Sequence, residues 1–245
     1  MIHGVINKFF EIMEAKAPGK ISKDTYLALS ENYLQYAKEY ASGLVDEVRG
    51  IAEGGDIDFK KVFCFNCIFE MYDVPRIPTL AKSLPGCTCF AVSGDAAAND
   101  DVFIGQNFDL EQAFQKYNII LKIKPENAPS SLIYTFAGSI GFLGVNSAGI
   151  GLVMNNMVSS DHRQGVPFGF IARKVLQKER VGDAIGAITS ARRAKGINYM
   201  LADKNGELFD VEATATDCEV RCHIEGYAGH TNHYIQQRFR PYDLG

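Results

Sequence analysis

The stretch at residues 84–110 constrains the fold more than any other part of the chain, because it predicts a hairpin that carries reactive groups. The run Cys87–Val92 is apolar, and its β-branched and aromatic residues are typical of a buried strand. A polar loop follows, and then a second predicted strand at residues 102–108. Because two such strands pair as a hairpin, we expect the thiol of Cys87 to lie near the carboxylate of Asp109.

The pattern of these strands is compatible with two roles for Cys87. Cysteine is among the most buried residue types, so most single cysteines fill a hydrophobic core. A thiol directly after a glycine, at the start of a strand and beside a carboxylate, is also a candidate catalytic arrangement. The residues by themselves leave both interpretations open.

Two short motifs narrow this choice. GCTCF at residues 86–90 and GQNFD at residues 105–109 resemble the cysteine N-terminal nucleophile (Ntn) hydrolases, and within them the penicillin acyltransferase family, which includes isopenicillin-N N-acyltransferase. Bile-salt hydrolases and penicillin V acylases are similar at a greater distance. Members of the family are made as inactive precursors that cut their own chain between the glycine and the cysteine. The resemblance therefore implies cleavage between Gly86 and Cys87, with Cys87 as the nucleophile.

The resemblance also implies supporting residues for this nucleophile. Asp109 would accept a hydrogen bond from the new α-amine of Cys87. The motif HTNH near the end of the chain matches the family's motif, whose asparagine, here Asn232, donates to the oxyanion. Asn156 corresponds to a second oxyanion position in the bile-salt hydrolases, although the neighbouring Asn155 could replace it. The alternative for each asparagine is a simple hydrogen bond at the end of a loop.

An N-terminal cysteine can supply both the nucleophile and its base. A thiol has a pKa of about 8.5 and an α-amine one of about 7.7–8.0, so both groups titrate near neutral pH. After cleavage the amine of Cys87 can take the proton of its own thiol, directly or through water. Before cleavage the same nitrogen is an amide and cannot act as a base. The uncut chain is therefore expected to lack hydrolase activity.

The two histidines of the HTNH motif, His230 and His233, offer alternative chemistry. Either could be the general base, and together they could bind a metal with further ligands. The candidate further ligands are two cysteine pairs, Cys64 with Cys67 and Cys218 with Cys222. Neither pair has a compact partner pair at zinc-finger spacing, so we predict no metal and no cofactor.

The chain is predicted to divide at the cleavage site into a helical prosegment, residues 1–86, and an Ntn-hydrolase core, residues 87–245. Apolar residues at helical spacing predict a helix at residues 21–51, and glycines at residues 50 and 54–55 interrupt the pattern. Asp58 is placed to cap the next predicted helix, at residues 59–71. This glycine-broken pair of helices resembles the precursor segments of the family. The remaining residues before the first strand contain three prolines, which predict a loop.

The predicted core has strands on both sides of two helices, which lie at residues 165–179 and 182–193. The strands are predicted at residues 117–123, 131–136, 144–145, 150–154, 197–202 and 207–212, followed by a last strand pair that ends at residues 230–233. This order is typical of an α+β fold with packed layers. The resemblance makes it specifically the four-layer αββα sandwich of the Ntn hydrolases.

Composition limits the possible partners. The net charge of −4 gives no global attraction to nucleic acid or to acidic membranes. No apolar run reaches the roughly 18 residues of a membrane-spanning helix, and the first residues do not match a signal peptide. We therefore expect a cytoplasmic protein whose six cysteines are free thiols.

Together these patterns predict a precursor that cleaves itself between Gly86 and Cys87 and then acts on a linear or cyclic amide through an acyl-Cys87 thioester. The predicted partners are a small amide substrate, with acyl-coenzyme A as a candidate donor, and the two cleavage products, which stay associated. Family members continue past the HTNH motif, so a C-terminal part is expected to be missing. Two alternatives remain: an amidase of the bile-salt or penicillin V acylase type, and a non-catalytic binding domain. The first is less favoured because those enzymes typically begin at the cysteine, without a long helical prosegment. The bile-salt hydrolases also have arginine at the position of Gln106, where glutamine agrees with the acyltransferases.

Overall fold

The computed structural model describes residues 1–16, 21–73 and 86–244. Within these ranges four helices precede the first strand: α1 Ile2–Lys16, α2 Lys23–Gly54, α3 Phe59–Asn66 and α4 Ile68–Asp73. The prolines of the predicted loop lie outside the described residues, so the prediction of a loop before Gly86 is not tested. The first strand begins directly after Gly86.

The helix signals in the sequence are only partly correct. Asp58 caps α3 as predicted, because its side chain accepts a hydrogen bond from the backbone N–H of Lys60 at 2.9 Å. The predicted interruption at Gly50 is wrong, since α2 continues through this residue, whereas the one at residues 54–55 is confirmed because α2 ends at Gly54. A glycine inside a helix costs only about 1 kcal/mol, which the packing of a long helix can offset. The irregularity lies instead at Ala41, where φ is −157° and ψ is 72°.

In the described residues, ten strands form two antiparallel sheets. The three-stranded sheet has the order β10-β1-β2, and the seven-stranded sheet runs in sequence order from β3 to β9. The strands are β1 Cys87–Val92, β2 Phe103–Phe108, β3 Asn118–Ile123, β4 Ser131–Phe136, β5 Leu143–Asn146, β6 Ile150–Asn156, β7 Ile197–Asp203, β8 Leu208–Ala213, β9 Cys218–Cys222 and β10 Tyr227–His230. The sequence predicts a strand at each of these places, and most of the predicted bounds lie within two residues of the observed ones.

The predicted final strand pair is wrong in its pairing. β9 pairs with β8, whereas β10 crosses to the other sheet and pairs with β1. In that register His230 lies opposite Cys89. Strands that are neighbours in sequence often pair, but nothing local in the sequence forces them to share a sheet. The crossing matters because it brings the HTNH motif beside the start of β1.

The two sheets pack face to face and helices cover the other face of the larger sheet. Between the sheets, Cys89 on β1 packs in one hydrophobic cluster with Val153 on β6 and Met200 on β7. On the opposite face of the larger sheet, Leu152 and Tyr199 belong to the main core, which the α-helices of the described ranges line. The last two helices, α5 Phe168–Val175 and α6 Val181–Thr189, are shorter than predicted.

The layers agree with the predicted α+β class. In the described ranges the outer face of the three-stranded sheet has no helix over it, and Phe90, Phe103 and Tyr227 on that face are about half exposed. None of the helices in the described ranges has both the length and the apolar content needed to cross a bilayer.

Asn66 joins the N-terminal helices to the sheet. Its side-chain amide donates to the carbonyl of Gly138 at 3.0 Å, and its side-chain oxygen accepts from the N–H of Ile140 at 2.9 Å. All three residues are buried. The N-terminal helices and the sheet therefore share polar contacts as well as one apolar core.

Asn66→Ala is expected to lower the free energy of unfolding by about 2–5 kcal/mol, because it leaves two buried backbone groups without partners. Chemical denaturation at equilibrium measures this change. Asn127→Ala, at an exposed position, is the matched control and should change stability by less than about 0.5 kcal/mol. Equal stabilities for the two variants would contradict the structural role of Asn66.

Candidate active site

The hairpin of β1 and β2 brings Cys87 and Asp109 together, as the sequence predicts. Cys87 is the first residue of β1 and lies opposite Phe108, the last residue of β2. The backbone N–H of Asp109 donates to the carbonyl of Gly86 at 2.9 Å. A carboxylate oxygen of Asp109 lies 3.5 Å from the position that a Cβ atom on Gly86 would occupy. The predicted scissile peptide and the predicted acidic residue are therefore neighbours.

The Cys87 thiol is buried, with the residue 5% exposed. Burial raises its pKa above the ordinary value, and the negative charge of Asp109 raises it further. Interactions with the side chain of Gln106, the backbone N–H of Asn156 and the side chain of Asn232 favour the thiolate and partly offset the effect of burial on the pKa. The net pKa remains raised, so the thiol is protonated at neutral pH and requires a base to become a nucleophile.

Gln106 directs a buried donor into the site. Its side-chain oxygen accepts from the backbone N–H of Met154 at 3.0 Å, which turns its amide nitrogen the other way. Within the described ranges that nitrogen is buried and makes no hydrogen bond of standard geometry to any other group. Of the interactions that lower the pKa of the Cys87 thiol, the one with Gln106 is the largest. Gln106 therefore supplies a neutral donor for negative charge at this sulfur.

Asn232 lies against the same peptide bond. It follows β10, and its side-chain oxygen accepts from the backbone N–H of Cys87 at 2.5 Å. Its amide nitrogen donates to the carbonyl oxygen of Asn156 at 2.8 Å. In the intact chain Asn232 thus contacts the nitrogen of the predicted scissile bond.

The two candidate asparagines on β6 have different positions. Asn155 is fully buried, and its amide nitrogen donates to the carbonyl oxygens of Cys87 at 3.1 Å and His230 at 3.3 Å. It therefore ties β6 to both β1 and β10. Asn156 presents its backbone N–H toward the thiol of Cys87, and its side-chain oxygen accepts from the ammonium of Lys195. Since the ammonium can only donate, the Asn156 amide nitrogen must point away from it and remains a candidate donor.

His230 is unsuited to the alternative role of general base. Its Nε2 lies 2.7 Å from a carboxylate oxygen of Glu212, and its Nδ1 lies 2.7 Å from the carbonyl oxygen of Thr231. Both partners are acceptors, so both ring nitrogens carry hydrogen and no lone pair is free. Burial lowers the pKa of His230, but these hydrogen bonds and the nearby carboxylates raise it by more. The acceptors at both ring nitrogens and the raised pKa favour the charged imidazolium form of this ring.

His233 is exposed, and its Nδ1 lies 2.8 Å from the hydroxyl oxygen of Thr231. It remains the histidine to test as an alternative base. In the described part of the chain, no three side chains of the His, Cys, Asp or Glu type come together as a metal site would require.

Sequence reasoning missed two buried charged residues beside the site. Lys195 is 2% exposed and donates to the carbonyl of Phe69 at 3.3 Å as well as to Asn156. Glu212 is 3% exposed and contacts His230. A charge inside an otherwise apolar strand, as in the run LFDVEA of β8, is a signal that could have found Glu212, because such charges are rarely buried without a partner. Lys195 follows two arginines and gives no comparable signal.

Comparison with known proteins identifies the family. The family model described as acyl-coenzyme A:6-aminopenicillanic acid acyl-transferase matches residues 96–243, which is more than half of the chain. The 40 kDa form of acyl-coenzyme A:6-aminopenicillanic-acid-acyltransferase from Emericella nidulans is 25% identical over 192 residues, which are 78% of this chain and 51% of that protein. The chain thus spans about half the length of this curated relative.

Solved structures show a similar fold. The N-acylethanolamine-hydrolyzing acid amidase orthologue of Caenorhabditis elegans is 15% identical, with a TM-score of 0.50 over 64% of this chain and 74% of that one. Penicillin V acylase from Agrobacterium tumefaciens is 16% identical, with a TM-score of 0.43 over 58% of this chain and 51% of that one. At these identities the likeness concerns the fold alone. The chain has an Ntn-hydrolase fold and belongs to the acyl-coenzyme A:6-aminopenicillanic acid acyl-transferase family.

Proposed function

We propose that this chain is the precursor of a self-processing Ntn amidohydrolase or acyltransferase, cleaved between Gly86 and Cys87. The observation that carries the proposal is the set of contacts on this one peptide bond. The carbonyl of Gly86 accepts from the N–H of Asp109, and the N–H of Cys87 donates to Asn232. The thiol that would attack the bond belongs to the next residue and is surrounded by donors that favour its thiolate.

Cleavage begins when the sulfur of Cys87 attacks the carbonyl carbon of Gly86. A carbon–sulfur bond forms, and the negative charge that develops on the Gly86 oxygen is stabilised by the N–H of Asp109. The carbon–nitrogen bond then breaks, and the nitrogen of Cys87 takes the proton that the thiol gave up and becomes a free amine. Water hydrolyses the resulting thioester, which releases the carboxylate of Gly86 and restores the thiol. Glycine at this position leaves the carbonyl carbon accessible.

The mature site uses the same sulfur on a second amide. The α-amine of Cys87 takes the thiol proton, and the thiolate attacks the substrate carbonyl to form an acyl-Cys87 thioester with release of an amine. Water then yields a carboxylic acid, whereas a second amine yields a new amide. We propose Asn232 and Asn156 as the donors to the oxyanion and Asp109 as the acceptor for the α-amine. The proposed substrates are small linear or cyclic amides, with an acyl-coenzyme A thioester as an alternative acyl donor, in line with the names of the relatives.

The proposal includes a division of the chain at residue 86 into two fragments that remain together. Besides the contacts of Asn66, Glu70 in α4 accepts from the backbone N–H of Phe168 at 2.9 Å, and Glu47 in α2 forms an ion pair with Arg173. These contacts join segments on opposite sides of the cleavage site. Cutting one peptide bond removes none of them.

Electrophoresis and native size measurement test the proposal. We expect the purified chain of 27.0 kDa to give two denatured bands near one third and two thirds of this mass, and a single species under native conditions. Mass spectrometry should place the new N-terminus at Cys87. A folded chain that stays one band after prolonged incubation and hydrolyses no amide would instead support the non-catalytic alternative.

The pH dependence of activity tests which group is the base. With the α-amine as base, activity should rise with pH through an apparent pKa near or below the ordinary value of about 7.7–8.0. The charge of Asp109 stabilises the ammonium form and raises this pKa, so Asp109→Asn should move the rising limb to lower pH and also reduce the maximum rate. The measurement is a pH–rate profile on protein already shown to be cleaved.

His233→Gln is the matched variant for this profile, and it should leave the rising limb in place. A histidine base would give a limb near about 6.5 that disappears in His233→Gln and does not move in Asp109→Asn. That result would exclude the α-amine as the base. Because the thiol and the amine interact, the apparent pKa belongs to the pair of groups.

A further inference from the structure

Glu212 makes an unusual set of contacts for one buried carboxylate. One of its oxygens accepts from the Nε2 of His230 at 2.7 Å and from the backbone N–H of Ile235 at 2.6 Å. The other accepts from the backbone N–H of Gln236 at 2.9 Å. The carboxylate therefore has three donors, which is what a buried negative charge requires.

These donors lie on both sides of Asn232. His230 is the last residue of β10, and Ile235 and Gln236 follow the motif. The segment at residues 231–234 leaves the sheet and returns to the same carboxylate. One side chain on β8 thus fixes both ends of the short segment that carries the candidate oxyanion donor.

The pair of Glu212 and His230 is ionic. The imidazolium of His230 faces the carboxylate of Glu212 directly, and Asp210 on the same strand adds negative charge nearby. The ring of His233 stacks on that of His230 with centroids 6.5 Å apart, and Cys89 lies opposite His230 on β1. These two carboxylates lie on β8, in the other sheet, and both favour the charged form of the His230 ring.

We propose that Glu212 is a positioning residue that holds Asn232 in the active site. It acts through the imidazolium of His230 on one side of Asn232 and through the N–H groups of Ile235 and Gln236 on the other. The inference rests on the proposed function of Asn232 as an oxyanion donor and adds the group that fixes its location. Positioning matters because a displacement of about 1 Å in a catalytic group can cost about 100-fold in rate.

Glu212→Gln changes this arrangement with little change in shape. The amide nitrogen of the new glutamine would face the N–H of Gln236, so that two donors oppose each other. The negative charge that balances His230 is also lost. We expect kcat to fall about 10- to 100-fold, with KM changed less than about twofold. Asn232→Ala alone should remove the oxyanion donor, so adding Glu212→Gln to it should lower kcat by less than about twofold more. This non-additivity separates positioning from a general loss of structure.

Asp203→Asn is the matched control. Asp203 is also a buried carboxylate of the larger sheet, and it accepts from the backbone N–H groups of Asn205 at 2.9 Å and Glu207 at 3.1 Å. It lies at the end of β7 away from Asn198, which faces the site residue Asn155. This variant should lose stability and keep kcat. Two results would exclude the positioning role. In the first, the separate losses of kcat in Glu212→Gln and Asn232→Ala multiply in the double variant. In the second, Glu212→Gln keeps a kcat as high as that of Asp203→Asn.

A second measurement does not depend on activity. Nitrogen-15 NMR of histidine-labelled wild-type protein should show hydrogen on both ring nitrogens of His230 at pH 7, assigned by its loss in His230→Gln. A ring with one hydrogen at pH 7 would overturn the ionic contact and with it the proposal. If the wild-type chain neither cleaves itself nor hydrolyses amides, the proposed function fails, whereas the NMR result still decides whether Glu212 and a charged His230 hold the Asn232 segment.

Discussion

Cys87→Ala is expected to remain one uncut chain of 27.0 kDa and to hydrolyse no amide. The substitution removes the sulfur that attacks the Gly86 carbonyl in cleavage and the substrate carbonyl in turnover, so both reactions fall to background together. The side chain is small and lies at the start of a strand, so the fold should survive. Intact-mass measurement over several days follows cleavage, and product analysis follows turnover.

Cys89→Ala is the matched control for this experiment. Cys89 lies two residues along β1 and faces the cluster between the sheets. Its pKa is raised well above the ordinary value by burial, and it cannot gain an α-amine by cleavage at Gly86. Its loss should cost about 1 kcal/mol of stability and leave cleavage almost unchanged. Cleavage after Gly86 in Cys87→Ala would mean that an external protease makes the cut.

Asn232→Ala is expected to lower kcat by about 10²- to 10³-fold, the usual loss for one oxyanion donor. In the intact chain its side chain also accepts from the N–H of Cys87, so self-cleavage should slow as well. Activity must therefore be measured per cleaved molecule, with the cleaved fraction determined by mass. Circular dichroism and thermal unfolding should show a folded protein.

Asn205→Ala controls for the loss of an asparagine at the end of a strand. Asn205 lies in the turn between β7 and β8, where its side chain contacts Asp203. This variant should keep the kcat of the wild type. Full turnover in cleaved Asn232→Ala would remove Asn232 from the catalytic group and would leave Asn156 and Gln106 as the candidate donors.

The hairpin that positions Cys87 and Asp109 could be predicted because everything it needs is local. Two apolar runs joined by a short polar loop pair with each other, and pairing fixes which strand ends meet. The placement of Asn232 required a resemblance, since the sequence gives no reason for β10 to leave β9 and join β1. Physical pattern alone would have put the HTNH motif at the edge of the wrong sheet.

The choice between Asn155 and Asn156 shows a second limit. Successive residues of a strand point to opposite faces, so a shift of one residue in register exchanges their surroundings. The sequence left the two open, and the structure places Asn155 between the sheets and Asn156 beside the thiol. Glu212 and Lys195 were missed for a related reason. Their partners lie 18 and 39 residues away in sequence, and only the assembled sheets bring them together.

The central place of β1 in its sheet has a consequence for the new chain end. The first residues of a chain are normally its least ordered part. Here the end created by cleavage would begin inside a strand that pairs with β2 on one side and, from Cys89 onward, with β10 on the other. Asn155 also holds the carbonyl of Cys87. The terminus would therefore not fray, and the amide hydrogens of β1 should exchange as slowly in the cleaved protein as in its precursor.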